Sequence, residues 1–144
     1  MRPWFCFFAL FLVAACQATP VHDAEVHIHT REEQITVYVE VAQTDEARRQ
    51  GLQHRKQLAA NAGMLFVWPE PQQISMWMKN TYIPLDMLFI RQGRIIHIAA
   101  NTTPHSLDLI SPPTPVDAVL EVNAGKAAAW GIQPGQKIEV VYPN

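Results

Sequence analysis

Residues 74–98 pack Met, Trp, Phe and Ile so densely that an ordinary surface element cannot carry them, yet Lys79, Asn80 and Asp86 stand inside the run. Strand-forming residues dominate, so the chain must be covered on both faces here. Each polar residue then needs a turn, a partner or a ligand to account for it. Residues 74–78 are expected as a strand apolar on both faces, broken by Lys79, Asn80 and Thr81 and resumed over 85–91 after Pro84. Gln92 and Gly93 form a two-residue hairpin turn, with glycine supplying the positive φ, before a return strand over 94–100.

Alternation with period two extends the β reading in both directions. Residues 25–30 and 34–41 form a first hairpin, with Ile35, Val37, Val39 and Val41 on its buried face. His27 and His29 share a face at a spacing that suits a metal, or they are solvent-side residues of an edge strand. Thr44 followed by Asp45 and Glu46 starts a short helix, in which Asp45 and Arg49 stand one turn apart and Gly51 ends the run. Residues 63–69 read as a buried strand stopped by Pro69 and Pro71, and 101–115 as a long loop. Val116, Ala118, Leu120 and Val122 point inward from a further strand. A second short helix covers 126–130, and Pro134-Gly135 turns into a closing strand over 136–142.

Many short strands, two short helices and 11 prolines define a mainly β fold. The expectation is a small jelly-roll-like β-sandwich or a partly closed barrel, formed as a single domain over 25–144. A double-psi-type β-barrel is the alternative, because a turn like the one from Gly131 to Gln136 leads into a strand there too.

The N-terminus reads as processing signal. Residues 1–15 form a lipoprotein-type signal peptide: Arg2 is its positive end, and the apolar core of about a dozen residues is shorter than the roughly 20 needed to span a bilayer. Val13-Ala14-Ala15-Cys16 resembles the bacterial lipoprotein box, so Cys16 is the expected lipidation site and 16–24 a tether. The alternative is ordinary secretion with cleavage near Ala18. Gln17, in place of an aspartate, favours an outer-membrane or periplasmic lipoprotein anchored by Cys16. Cys6 leaves with the leader, so the mature domain has neither a disulfide nor a cysteine nucleophile. A net charge of −2 gives no clustered basic surface for nucleic acid.

Several ordered motifs carry a family likeness: Gly51-Leu52, Gly63-Met64-Leu65-Phe66, Trp77-Met78-Lys79-Asn80-Thr81, Pro84-Leu85-Asp86 and Leu120-Glu121-Val122-Asn123-Ala124-Gly125. With them the chain resembles the family called domain of unknown function 192 over about residues 34–142. Gln53 stands where many members carry Met. The resemblance implies a small jelly-roll β-sandwich, usually in exported or membrane-anchored proteins, and no accepted activity.

The chemistry therefore rests on individual polar residues. A tight turn at Gln92-Gly93 pairs Arg91 with Arg94, which sets Leu88 opposite His97 and Asp86 opposite Ala99. Met87, Phe89, Ile96 and Ile98 then share one face, and Asp86, Leu88, Ile90, Ile95 and His97 the other, with Asp86 and His97 diagonal neighbours. Asp86 satisfies buried backbone donors, pairs with Lys79, or lines a ligand pocket with Lys79, Asn80, His97 and Glu121. The expected ligand-binding set is Trp77, Lys79, Asn80, Asp86, His97, Glu121 and Asn123. Lys79, Asp86 and Glu121 are expected to converge at one end of the domain.

One alternative is glycan hydrolysis by an Asp86/Glu121 carboxylate pair. Another is Cu(I) held by Met64, Met76, Met78 and Met87. No nucleophile elbow, phosphate loop or firmly spaced metal cluster is present, and no cofactor is expected. An envelope binding or accessory module is the reading reached. Its partners would be the membrane through Cys16 and a small envelope ligand, a glycan or another envelope protein, with no nucleic acid.

Overall fold

The computed structural model describes residues 22–143; the expected signal peptide, the expected lipidation site Cys16 and most of the expected tether lie outside them. Seven strands follow the alternating segments: β1 (Ala24–His29), β2 (Gln34–Ala42), β3 (Ala62–Gln72), β4 (Leu85–Arg91), β5 (Arg94–Ala99), β6 (Val116–Asn123) and β7 (Lys137–Val141). Helices α1 (Asp45–Gln50) and α2 (Lys126–Ala129) are short. The strands close into one barrel in the order β1-β2-β3-β6-β4-β5-β7, so between the sandwich and the partly closed barrel expected, the barrel forms. Closure removes the edges: β1 pairs with β7 as well as β2, and His27 and His29 are not on an edge strand.

Period-two alternation fills the interior. Val26, Ile28, Val37, Val39, Leu65, Leu88, Ile90, Leu120 and Val122 form the inner core, with Ile35 and Val41 packed at its margin. A second core lies outside the barrel, where Met64, Phe66, Met78, Leu85, Met87, Phe89 and Val119 are covered by α1 and the long loops. This double coverage explains why β4 is buried on both faces. Val116 joins the outer core rather than facing inward, because the β3–β6 register shifts between Val67 and Gln72. That irregularity also carries β3 through Pro69 and Pro71, expected as a stop; a proline costs no ladder bond where the ladder is already interrupted.

Two local expectations change with tertiary packing. Residues 74–78 form no strand: a single bridge, Met76 to Ile110, holds the segment as a strap over the outer core, with Ile74 and Met78 buried. In the β4–β5 hairpin the turn forms as expected, with Gln92 (φ 48°) and Gly93 (φ 72°) both left-handed. A bulge then leaves Ile96 unpaired, so Phe89 faces His97, Leu88 faces Ile98 and Met87 faces Ala99. The register derived from the turn alone is off by one beyond that point, and His97 stacks on Phe89 at 5.7 Å instead of approaching Asp86.

Helix α1 starts as its sequence dictates, with the Thr44 hydroxyl accepting from the Ala47 amide at 3.1 Å. Asp45 pairs with Arg48 at 2.6 Å, not with Arg49, because Arg48 also donates to the Gln43 and Val67 carbonyls and is already held beside it. Gly51 adopts φ 49° at the helix end, and a Cβ there would meet the Phe66 ring at 3.2 Å. At Gly63 a Cβ would lie 2.6 Å from the Glu121 carbonyl, so glycine lets β3 and β6 pair where the outer core begins.

Candidate functional site

Glu121 lies on the outer face of β6, opposite Met64 on β3 and Met87 on β4. Its neighbours in the sheet are thus thioethers, and the end of α1 and the 74–81 strap close over it. Glu121 is 4% exposed, and among the described residues its carboxyl has no hydrogen-bond or ion-pair partner. Burial alone pushes its pKa up from 4.5 to about 8, so the acid is held protonated at neutral pH. It borders a niche of about 30 Å³, room for one water or one polar ligand group, together with Arg49, Gly51, Phe66, Lys79 and Thr81.

The niche shares most of its walls with a groove of about 470 Å³ lined by Asp45, Arg48, Arg49, Phe66, Trp68, Met76, Trp77 and Lys79. Two cations lie over aromatic rings there: the Arg48 guanidinium 5.3 Å from the Trp68 centroid, and the Lys79 ammonium 5.1 Å from that of Trp77. A turn positions the second pair. The Thr81 amide donates to the Met78 carbonyl, and Asn80 takes φ 52°, a conformation asparagine tolerates. Trp77 and Lys79 thereby stay at the surface while Met78 and Thr81 are buried.

The other expected site residues hold the scaffold. Asn80 donates to the Gln53 side chain at 3.2 Å, and its carbonyl accepts from the His54 amide, tying the strap to the chain after α1. Asn123 donates to the Leu58 and Ala59 carbonyls and clamps the same segment. Asp86 is fully buried on the inner face of β4; one oxygen accepts from the Asn101 amide at 2.8 Å and the other from Ala127 at 2.9 Å. Of its three readings, satisfaction of buried backbone donors is the one observed.

Because Asp86 pairs with Val122 and Met87 with Glu121, the two carboxylates point to opposite faces of the sheet and form no catalytic pair. Lys79 and Glu121 do converge in one site, without Asp86 and His97. The methionines are spread through the outer core; Met76 lines the groove, and the Met78 sulfur accepts from the Thr102 hydroxyl at 3.2 Å. Nothing in the sequence marks Arg48, Arg49, Phe66 and Trp68 as groove residues. Their only signal was position at a helix end or in a hydrophobic run, which looks the same whether a residue lines a groove or a core.

The molecule is thus defined as a small closed β-barrel with an external groove and, adjoining it, a niche bordered by one buried acid. The profile of the family DUF192, described as "Uncharacterized ACR", matches residues 26–140, and the chain belongs to that family. A Sinorhizobium meliloti 1021 protein of known crystal structure, provisionally described as a transcription regulator, is 41% identical over 85% of this chain and 98% of its own, with a TM-score of 0.80. A Novosphingobium aromaticivorans DSM 12444 protein of unknown function is 36% identical over 80% of this chain and 83% of its own, with a TM-score of 0.78. No curated protein is significantly similar to the chain.

Proposed function

We propose that the protein is an exported, membrane-anchored binding module whose groove accepts a small ring-shaped polar ligand of the cell envelope, such as a sugar of a glycan. The unpartnered Glu121 carboxyl, in the niche that adjoins the groove, carries this reading. An acid held in apolar surroundings destabilises the fold, and a protonated carboxyl there is a ready hydrogen-bond donor for a ligand oxygen. Exposed Trp77 and neighbouring Trp68 supply flat apolar walls of the kind that ring-shaped ligands pack against.

Binding is favoured over hydrolysis. Two-carboxylate glycoside cleavage needs a second acid about 5–9.5 Å away, and Asp45, the other carboxylate lining the groove among the described residues, is paired with Arg48. The transcription-regulator description of the Sinorhizobium protein is not carried over, since 11 basic against 13 acidic residues suit an envelope ligand better than nucleic acid.

An amide NMR titration with mono- and disaccharides tests the site. Shifts concentrated at Trp68, Trp77, Lys79, Thr81 and Glu121 are expected, with loss of binding in Trp77→Ala; shifts scattered over the barrel would refute it. The anchor rests on the sequence around Cys16. Cys16→Ser expressed in a bacterial host is expected to release the protein from membranes or leave its leader uncleaved. Normal processing with unchanged membrane association would end that part of the proposal.

A further inference from the structure

The charge lining the groove runs against the charge of the chain. Asp45, Arg48, Arg49 and Lys79 line it, three cations and one carboxylate, on a protein of net charge −2. With Glu121 protonated or ionised, the groove stays positive. The cations are not equivalent. Arg48 is committed to Asp45 and to the Gln43 and Val67 carbonyls. Among the described residues, the side chains of Arg49 and Lys79 make no hydrogen bond or ion pair, although Lys79 lies over Trp77. Two cations without a direct ion pair therefore border the niche that holds Glu121, Lys79 wholly so and Arg49 with only a longer-range pull on Asp45.

We propose that the ligand of this groove is anionic: a ring-shaped molecule bearing a carboxylate or phosphate, held by Arg49 and Lys79, with a further oxygen accepting from the Glu121 carboxyl. The proposal rests on the groove being a ligand site and names the chemistry of what it takes. Arg49 projects from a helix and Lys79 from a tight turn, so the two reach an anion from different walls. The Trp77 ring limits the freedom of the Lys79 ammonium without neutralising it. A neutral ligand would leave both cations uncompensated when water is displaced from the groove, whereas an anion pairs with them and converts that cost into selectivity.

Matched probes test this on the full chain purified in detergent. Glucose, glucuronate and glucose 6-phosphate share a ring and differ in charge. Titration calorimetry, with the indole NMR signals of Trp68 and Trp77 as site reporters, should show each anion binding at least about tenfold more tightly than glucose. Whichever anion binds more tightly names the source of the charge. Lys79→Gln and Arg49→Gln should each weaken the anions severalfold more than they weaken glucose, and raised salt should narrow the same gap. Glucose binding as tightly as both anions overturns the anionic assignment while leaving the groove a ligand site. Indole signals that respond to none of the three overturn the assignment and the binding site together.

Discussion

At pH 8 and above, Glu121→Gln is expected to stabilise the fold by about 3–5 kcal/mol, a rise in Tm of about 10 °C or more, while near pH 4 the variant and the parent should be nearly equal. The sign follows from burial. The folded pKa is raised from 4.5 to about 8, whereas the unfolded chain ionises near the ordinary value. Between these pH values the folded protein keeps a proton that the unfolded chain has released. Stability is therefore full below about pH 4.5 and falls as pH rises towards 8, with a slope of about 1.4 kcal/mol per pH unit. Gln keeps the shape and a donor but does not titrate, so the decline should vanish in the variant. Denaturant unfolding at pH 4.5, 6, 7.5 and 9 measures it. Parallel pH profiles for the two proteins would mean that Glu121 ionises normally when folded, and the niche beside the groove would then hold a carboxylate.

Asp86→Ala should act in the opposite direction and at a different place. Each Asp86 oxygen accepts one buried backbone amide, from Asn101 and from Ala127. A hydrogen bond to a charged acceptor contributes about 1.5–3 kcal/mol, so losing two should cost about 3–6 kcal/mol, a large share of a typical folding free energy. Asp86→Asn should fall between, since its amide nitrogen turns a donor towards one of the two N–H groups. Groove binding should survive in any fraction that folds, because Asp86 faces the barrel interior. Urea unfolding and a saccharide titration on the same samples separate these effects. A loss below about 1 kcal/mol would contradict the anchoring role.

The contrast between these two acids marks where sequence reading stops. Both interrupt apolar strands, and nothing in their neighbours tells a residue that serves the backbone from one that serves a ligand. Asp86 lies where two amides lack partners, at the chain leaving β5 and at the first residues of α2, segments separated from it by 15 and 41 positions. Glu121 lies where β6 inserts between β3 and β4, so Met64 and Met87 flank it although neither is near it in sequence. Lys79 was legible as a polar break in an apolar run. Arg49 was not, because a basic residue in the last turn of a helix is already explained by the dipole.

What the sequence determined by itself is local. Alternation with period two set the inner face of β2 and, beyond Val116, that of β6. Thr44 set the start of α1, and Gln92-Gly93 set the β4–β5 turn, because each of these depends on a few adjacent residues and their φ, ψ and hydrogen-bonding preferences. Tertiary structure alone decided that the sheet closes, that β3 runs on through two prolines, and that residues 74–78 become a strap rather than a strand. It also decided that Asp86 and Glu121 part company across the sheet. Alternation says that successive residues face opposite ways but not which way is in, and a single bulge at Ile96 reassigns every partner beyond it. Burial of an acid depends on what packs over it, and here the cover comes from α1 and the strap, which only the folded chain brings to β6.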